Sequence, residues 1–333
     1  MKRNQILGQL FEIFILKLVL MSGYKLIGFN DIDPDKVRMT RRNFIEFKGR
    51  GAYHQIDIPV DLIYRPSFIY PIRLLGEVKY HSKKISKDFI REEIGKMKDI
   101  QENYFVNNAL TSEMRAKRRL EVFAFFSASG FNESAERLAY AHGIKTISYE
   151  NNKCVKDIVR FIRPLSKTIS AFSNERQEEA IDRFFNLLIF GTADEILFET
   201  LHPAKELKRL PLSIRTSIIG TTITGLTIHF ISNDRFPNEL FRNRDYVNCR
   251  VRSSNSLDKW QLEVNGSDFV MYFSMPEIIK QESFSVDGNV VYPRKETELD
   301  VIYFDRFIDQ KQRRLEFRFD HNWFRSLTKQ RMG

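Results

Sequence analysis

The apolar positions of this chain change period part-way along it. Over residues 6–21 they fall at helical spacing, and Ser22-Gly23 closes the run. Residues 24–29 read as a short strand and 30–34 as a turn, and 44–47 lead into a Gly49-Arg50-Gly51 break. Two strand-like runs, 55–64 and 72–80, flank Pro66. Residues 87–104 carry Phe89, Ile90, Ile94, Met97 and Ile100 on one helical face. Residues 121–126 have the composition of a buried central strand. A helix capped by the Asn132 side chain and stopped at Gly143 comes next, followed by a strand over 144–149. Strand, helix and strand at this length predict a parallel crossover, so the first half is α/β.

The second half has a different texture. Residues 173–190 form an amphipathic helix, with Ala180, Ile181, Phe184, Phe185 and Leu188 inward. Beyond about residue 210 the period becomes two. Val247, Cys249 and Val251 alternate with Asn248, Arg250 and Arg252, and Leu315, Phe317 and Phe319 alternate with Glu316, Arg318 and Asp320. Asp287-Gly288 is a hairpin signal. The expectation is a C-terminal α+β domain, mostly antiparallel β, over 170–333. An α/β domain with a mixed central sheet covers 1–160, and the boundary lies within 155–172, near Pro164.

Charge sharpens the division. The net charge is +10 over 333 residues. Residues 1–165 hold 29 Lys and Arg against 19 Asp and Glu, whereas residues 166–333 hold 24 of each. The whole positive excess lies in the first half, which predicts a polyanionic partner there. Cys154 and Cys249 are far apart and in no metal-like spacing, so neither a disulfide framework nor a zinc site is expected, and a reducing, cytoplasmic setting fits. The apolar start is interrupted by Gln9, Glu12 and Lys17 and lacks a small-residue cleavage site, so it reads as a buried helix rather than a leader or a membrane span.

Acidic and basic residues inside the two apolar runs carry the chemistry. Asp57 sits within Ile56-Asp57-Ile58, and Glu77-Val78-Lys79 follows twenty residues on. Charged residues in apolar strands need a reason. Two carboxylates and a lysine can hold a hard divalent cation beside a phosphodiester. Asp57, Glu77 and the Val78 carbonyl are the expected metal ligands. Lys79 shares a strand face with Glu77, so it reaches the attacking water or the phosphate.

This order resembles the PD-(D/E)xK restriction-endonuclease-like superfamily, and most of all its Mrr-type branch. The matching residues are Phe11-Glu12 and Gly23-Tyr24, then Gly49-Arg50-Gly51, His54-Gln55-Ile56-Asp57-Ile58 and Glu77-Val78-Lys79. A helix with Glu93 follows, then residues 125–131 with Ala135, Ala139 and His142-Gly143-Ile144. The resemblance covers roughly residues 5–150. It implies a mixed sheet flanked by helices and Mg²⁺-dependent endonuclease action on DNA, with Mn²⁺ as a substitute. By it, Asp57, Glu77 and Lys79 are catalytic and Glu12 is an accessory acid. Ile56 stands where members often have Pro or Gly. A role in restriction or anti-phage defence, and a homodimer able to cut both strands, are further implications of the resemblance alone.

Other residues are candidates of lower rank. Gln55 is accessory, as a phosphate or water ligand or as a strand-edge polar residue. Asp61 is a second ligand or an exposed strand-end acid, and His54 a DNA contact or a loop residue. Lys83, Lys84 and Lys87, with Arg115, Lys117, Arg118 and Arg119, form two basic clusters suited to backbone phosphates. Ser127 and Ser129 lack a triad partner, and no P-loop is present. Two alternatives remain open: a non-catalytic nucleic-acid-binding module, and an effector silent until its C-terminal half meets a small-molecule signal or a partner protein.

Overall fold

The structure is a computed structural model that describes residues 1–28, 36–40, 45–64, 68–107, 119–191, 213–253, 259–283 and 299–319. The expected turn at 30–34, the 287–288 hairpin, Arg115, Lys117 and Arg118 lie outside them. The elements run α1 (Arg3–Met21), β1 (Tyr24–Leu26), β2 (Val37–Met39), β3 (Ile45–Lys48), β4 (Tyr53–Ile56), β5 (Ile58–Leu62), β6 (Ile72–Lys79), α2 (Lys87–Asn107) and β7 (Leu120–Ser127). Then come α3 (Glu133–Ala141), β8 (Lys145–Ser148), α4 (Lys153–Ser170) and α5 (Asn174–Phe190). The rest is β9 (Thr216–Thr222), β10 (Thr227–Ser232), a 3₁₀ turn (Asn238–Phe241), β11 (Tyr246–Ser253), β12 (Trp260–Val264), β13 (Val270–Phe273), α6 (Glu277–Ser283), β14 (Val301–Ile308) and β15 (Lys311–Phe319).

A five-stranded sheet of order β1-β5-β6-β7-β8 organises the first half. The β1–β5 and β5–β6 junctions are antiparallel, and β6–β7 and β7–β8 are parallel through the crossovers of α2 and α3. Gly76 in the central strand allows close approach, because a Cβ there would lie 2.8 Å from Ile58 and 2.9 Å from Phe126. On one face lies α1, buried nearly all round as an apolar helix without a wet stripe must be. By length and composition alone it could cross a bilayer. Here Leu10, Phe11, Phe14 and Leu18 pack against the sheet, α4 and α5. On the other face, α2 and α3 cover Leu75, Phe123 and Phe125. Asn132 occupies the cap position of α3, but its backbone carbonyl, not its side chain, takes the first amides.

Residues 155–170 lie within α4. Helix α4 runs through Pro164, and α5 returns onto α1, so both belong to the core of the first half. The second half is a closed barrel of order β10-β13-β12-β11-β15-β14-β9. Its β11–β15 junction is parallel and the others antiparallel. The interior is aromatic, with Phe304 stacked on Phe317 at 4.3 Å and Phe230 beside Phe273 at 5.0 Å.

Barrel and sheet are joined by buried polar contacts. His229 meets Tyr149 Oη at 2.8 Å and Ser217 Oγ at 2.6 Å, and Ser217 donates to the Leu18 carbonyl at 2.7 Å. Burial pushes the His229 imidazole down to about 3, so it is neutral. The Ser217 proton goes to Leu18, so Nε2–H donates to Ser217 and Nδ1 accepts from Tyr149. Buried Glu136 accepts from the Ile278 amide at 2.9 Å, which anchors α6.

Candidate active site

The expected strand over 55–64 is broken at its acid. β4 pairs in a separate three-stranded sheet, β2-β3-β4, while β5 enters the central sheet, and Asp57 is the single residue between them. A residue at such a crossing is free of both ladders, and its carboxylate accepts the Val78 amide of β6 at 2.8 Å. Glu77 and Lys79 stand on the α2-facing side at the carboxyl end of β6. Lys79 Nζ donates to Glu77 Oε1, and Lys96 of α2 donates to Oε2 at 2.6 Å. Glu93, one turn earlier on α2, lies 3.8 Å from Lys96. Glu12 comes from α1 and shares with Asp57 the lining of a cleft of about 380 Å³ between α1, α5 and the β2–β3 edge.

The electrostatics follow from four acids facing two lysines. Burial, then the charges of Asp57 and Glu77, push Glu12 up to about 8 against Lys79. Burial and Glu77 push Asp57 up to about 7, opposed by the Val78 amide and both lysines. Burial and Glu77 do the same for Glu93, also to about 7. Glu77 goes the other way: burial raises it, but Lys96 and Lys79 together outweigh burial and hold it below the usual carboxylate range. Burial pulls the Lys79 ammonium down, yet Glu77 more than compensates and raises it.

No protein-family model and no curated protein matches the chain. A solved structure, the crystal structure of a protein of unknown function, AF1548, is similar at 14% identity and a TM-score of 0.31, over 60% of this chain and 97% of that one. A likeness that faint carries no argument.

The remaining candidates divide. Gln55 is exposed on β4 opposite Glu46, outside the cluster. Val78 offers its amide to Asp57, and its side chain is buried in the core. Asp61 is not a ligand in waiting: it is buried, with Arg73 donating to both carboxylate oxygens at 2.7 and 3.1 Å. Arg119, expected at backbone phosphates, instead turns inward to Asp61 at 3.3 Å, because a buried carboxylate needs its charge more than solvent does. Lys84 is likewise spent, bridging Glu277 at 3.1 Å and Glu150 at 3.2 Å. Lys83 and Lys87 are exposed.

His54 is half-buried and pairs with Asp99 of α2 at 2.7 Å. The Gly49–Gly51 turn wraps the same carboxylate, which a Cβ at Gly49 would overlap. Ser127 and Ser129 donate to the carbonyls of Gly130 and Lys83, so both serve the local turn.

Sequence reasoning did not single out Lys96. Its signal was present: Glu93 and Lys96, three apart, interrupt the helical face of Ile90, Ile94, Met97 and Ile100, so both must lie close to the buried side.

Among the described residues, no three His, Cys, Asp or Glu side chains converge into a ready-made cage, since Glu77 is turned to its lysines. The donor set nevertheless fits a hard divalent cation. It is all oxygen, and in Glu12, Asp57 and Glu93 burial first, and then neighbouring carboxylates, make protons bind where a cation would also offset the negative charge.

Proposed function

We propose that the chain is a metal-dependent endodeoxyribonuclease with its active site at Asp57, Glu77 and Lys79. One observation carries the reading. An excess of acids is gathered at the carboxyl end of a central strand, with an ammonium fixed among them and a cleft alongside. Carboxylates in excess of their cations repel one another, and a divalent cation relieves that repulsion. Asp57, Glu77 and the Val78 carbonyl would hold Mg²⁺, or Mn²⁺ in its place, with Glu12 as an accessory acid. The cation, when bound, acidifies a water and neutralises charge growing on phosphorus. Lys79 would supply a positive charge beside a phosphate drawn to the cation that both carboxylates hold. The basic surplus of the first half, including exposed Lys83 and Lys87, draws the DNA in. A homodimer in the cytoplasm, acting in restriction or anti-phage defence, completes the proposal.

The test is cleavage of linear, supercoiled and methylated DNA with Mg²⁺ or with EDTA, by wild type, Asp57→Ala and Lys79→Ala. Metal-dependent cutting that both variants lose is the expected result. DNA binding by wild type without cutting on any substrate would turn the reading toward a binding module.

A further inference from the structure

Glu77 is gripped from two sides, and the two grips differ. Lys79 lies two residues along the same strand, with its side chain 28% exposed. Lys96 rises from the middle of α2, is 17% exposed, and faces a second acid, Glu93, at 3.8 Å. The more exposed ammonium is the less costly to move, because water replaces part of what its carboxylates supply. Of the two, Lys79 is therefore the one able to turn to a phosphate, and Lys96 the one that stays.

We propose that Lys96 is a positioning residue for Glu77. It fixes Oε2, so that Oε1 is presented to a divalent cation when Lys79 turns to substrate. The idea rests on the nuclease reading above and adds to its strand motif a second ammonium delivered by a helix. Removing that ammonium has two consequences of opposite sign. The site becomes one charge more acidic, which favours a cation. Glu77 also loses the contact that orients it, which slows turnover. A lysine that merely supported the fold would lower both together.

The experiment uses the full chain. Mn²⁺ binding is measured by calorimetry, and DNA cleavage is followed across a Mg²⁺ titration, for wild type, Lys96→Met and Lys96→Arg. Lys96→Met is expected to bind Mn²⁺ no more weakly than wild type, yet to cut about tenfold or more slowly at saturating Mg²⁺. Lys96→Arg, which keeps the charge and the hydrogen bond, should recover most of that rate. Should the methionine variant not fold, Lys96→Gln is expected to show the same split and decides in its place. Wild-type turnover in the folded Met or Gln variant overturns the proposal, and so does a joint loss of binding and cutting. If wild type itself neither binds Mn²⁺ nor cuts DNA, the nuclease reading falls and takes this one with it; the preceding outcomes remove this one alone.

Discussion

Two charge clusters centre on Arg73 and Glu77, which share a face of β6 and stand four residues, about 13 Å, apart along the strand. At the amino end, Asp61 is enclosed by Arg73 and Arg119. Glu121 nearby is pushed up to about 7 by burial, against Arg73, Lys36 and Arg119, and among the described residues no acid adds to the shift. At the carboxyl end, Glu12, Asp57, Glu77 and Glu93 face Lys79 and Lys96, and the acids raise one another. Burial is common to both. The balance of charge is not, and it separates an ion pair that joins strands from a cluster whose acids outnumber its cations, which is what the proposed metal site requires. Ranking acids by burial alone would have placed Asp61 ahead of Asp57.

The comparison can be broken most sharply at its acid-rich end. Glu77→Gln should lower metal-dependent cleavage by about 10³-fold or more, read as a single-turnover rate. At the other end the effect should fall on stability. Asp61→Ala strands the Arg73 guanidinium, only 5% exposed, and should cost about 3–5 kcal/mol in denaturant unfolding. Cleavage per folded molecule should be unchanged.

A subtler contrast lies in pH. Asp57 holds its proton up to about pH 7 in the fold but releases it near 4 when unfolded, so its burial costs nothing at pH 4 and most above pH 7. Asp57→Asn should therefore match wild type at pH 4 and melt roughly 5 °C higher at pH 8. Mg²⁺ should raise the Tm of wild type at pH 8 and leave that of the variant unmoved. The smallest effect expected is on DNA affinity. Lys83→Ala and Lys87→Ala should each reduce the salt slope of binding by about 0.9, whereas Lys84→Ala, its charge already spent on Glu150 and Glu277, should not change it.

The carboxylates at 57 and 77 were legible because an acid inside an apolar run is conspicuous along the chain. Glu12 stood out for the same reason within α1. Lys96 was not, since a lysine on a helix is ordinary until one knows which face the helix turns inward. The ion pairs of Lys84 and Arg119 were hidden for the mirror reason: a run of basic residues reads the same whether its charges face solvent or an acid far away in sequence. Period two indicated strands in the second half. Closure of those strands into a barrel depends on the parallel pairing of β11 with β15, whose partners are seventy residues apart, and alternation holds no record of partners.

Asp57 belongs to neither sheet, and this makes the site sensitive to chain length in a way no substitution tests. Side chains alternate along a strand, so one residue inserted between Ile56 and Ile58 would leave β3–β4 and β5–β6 paired while carrying the carboxylate away from Val78. Extra residues in the Gly49–Gly51 turn would disturb its contacts with Asp99 and Glu102 of α2. Through this part of the chain, the interval from one ladder to the next is counted in single residues, and natural or designed variation in length should be tolerated at the turn and refused at the acid.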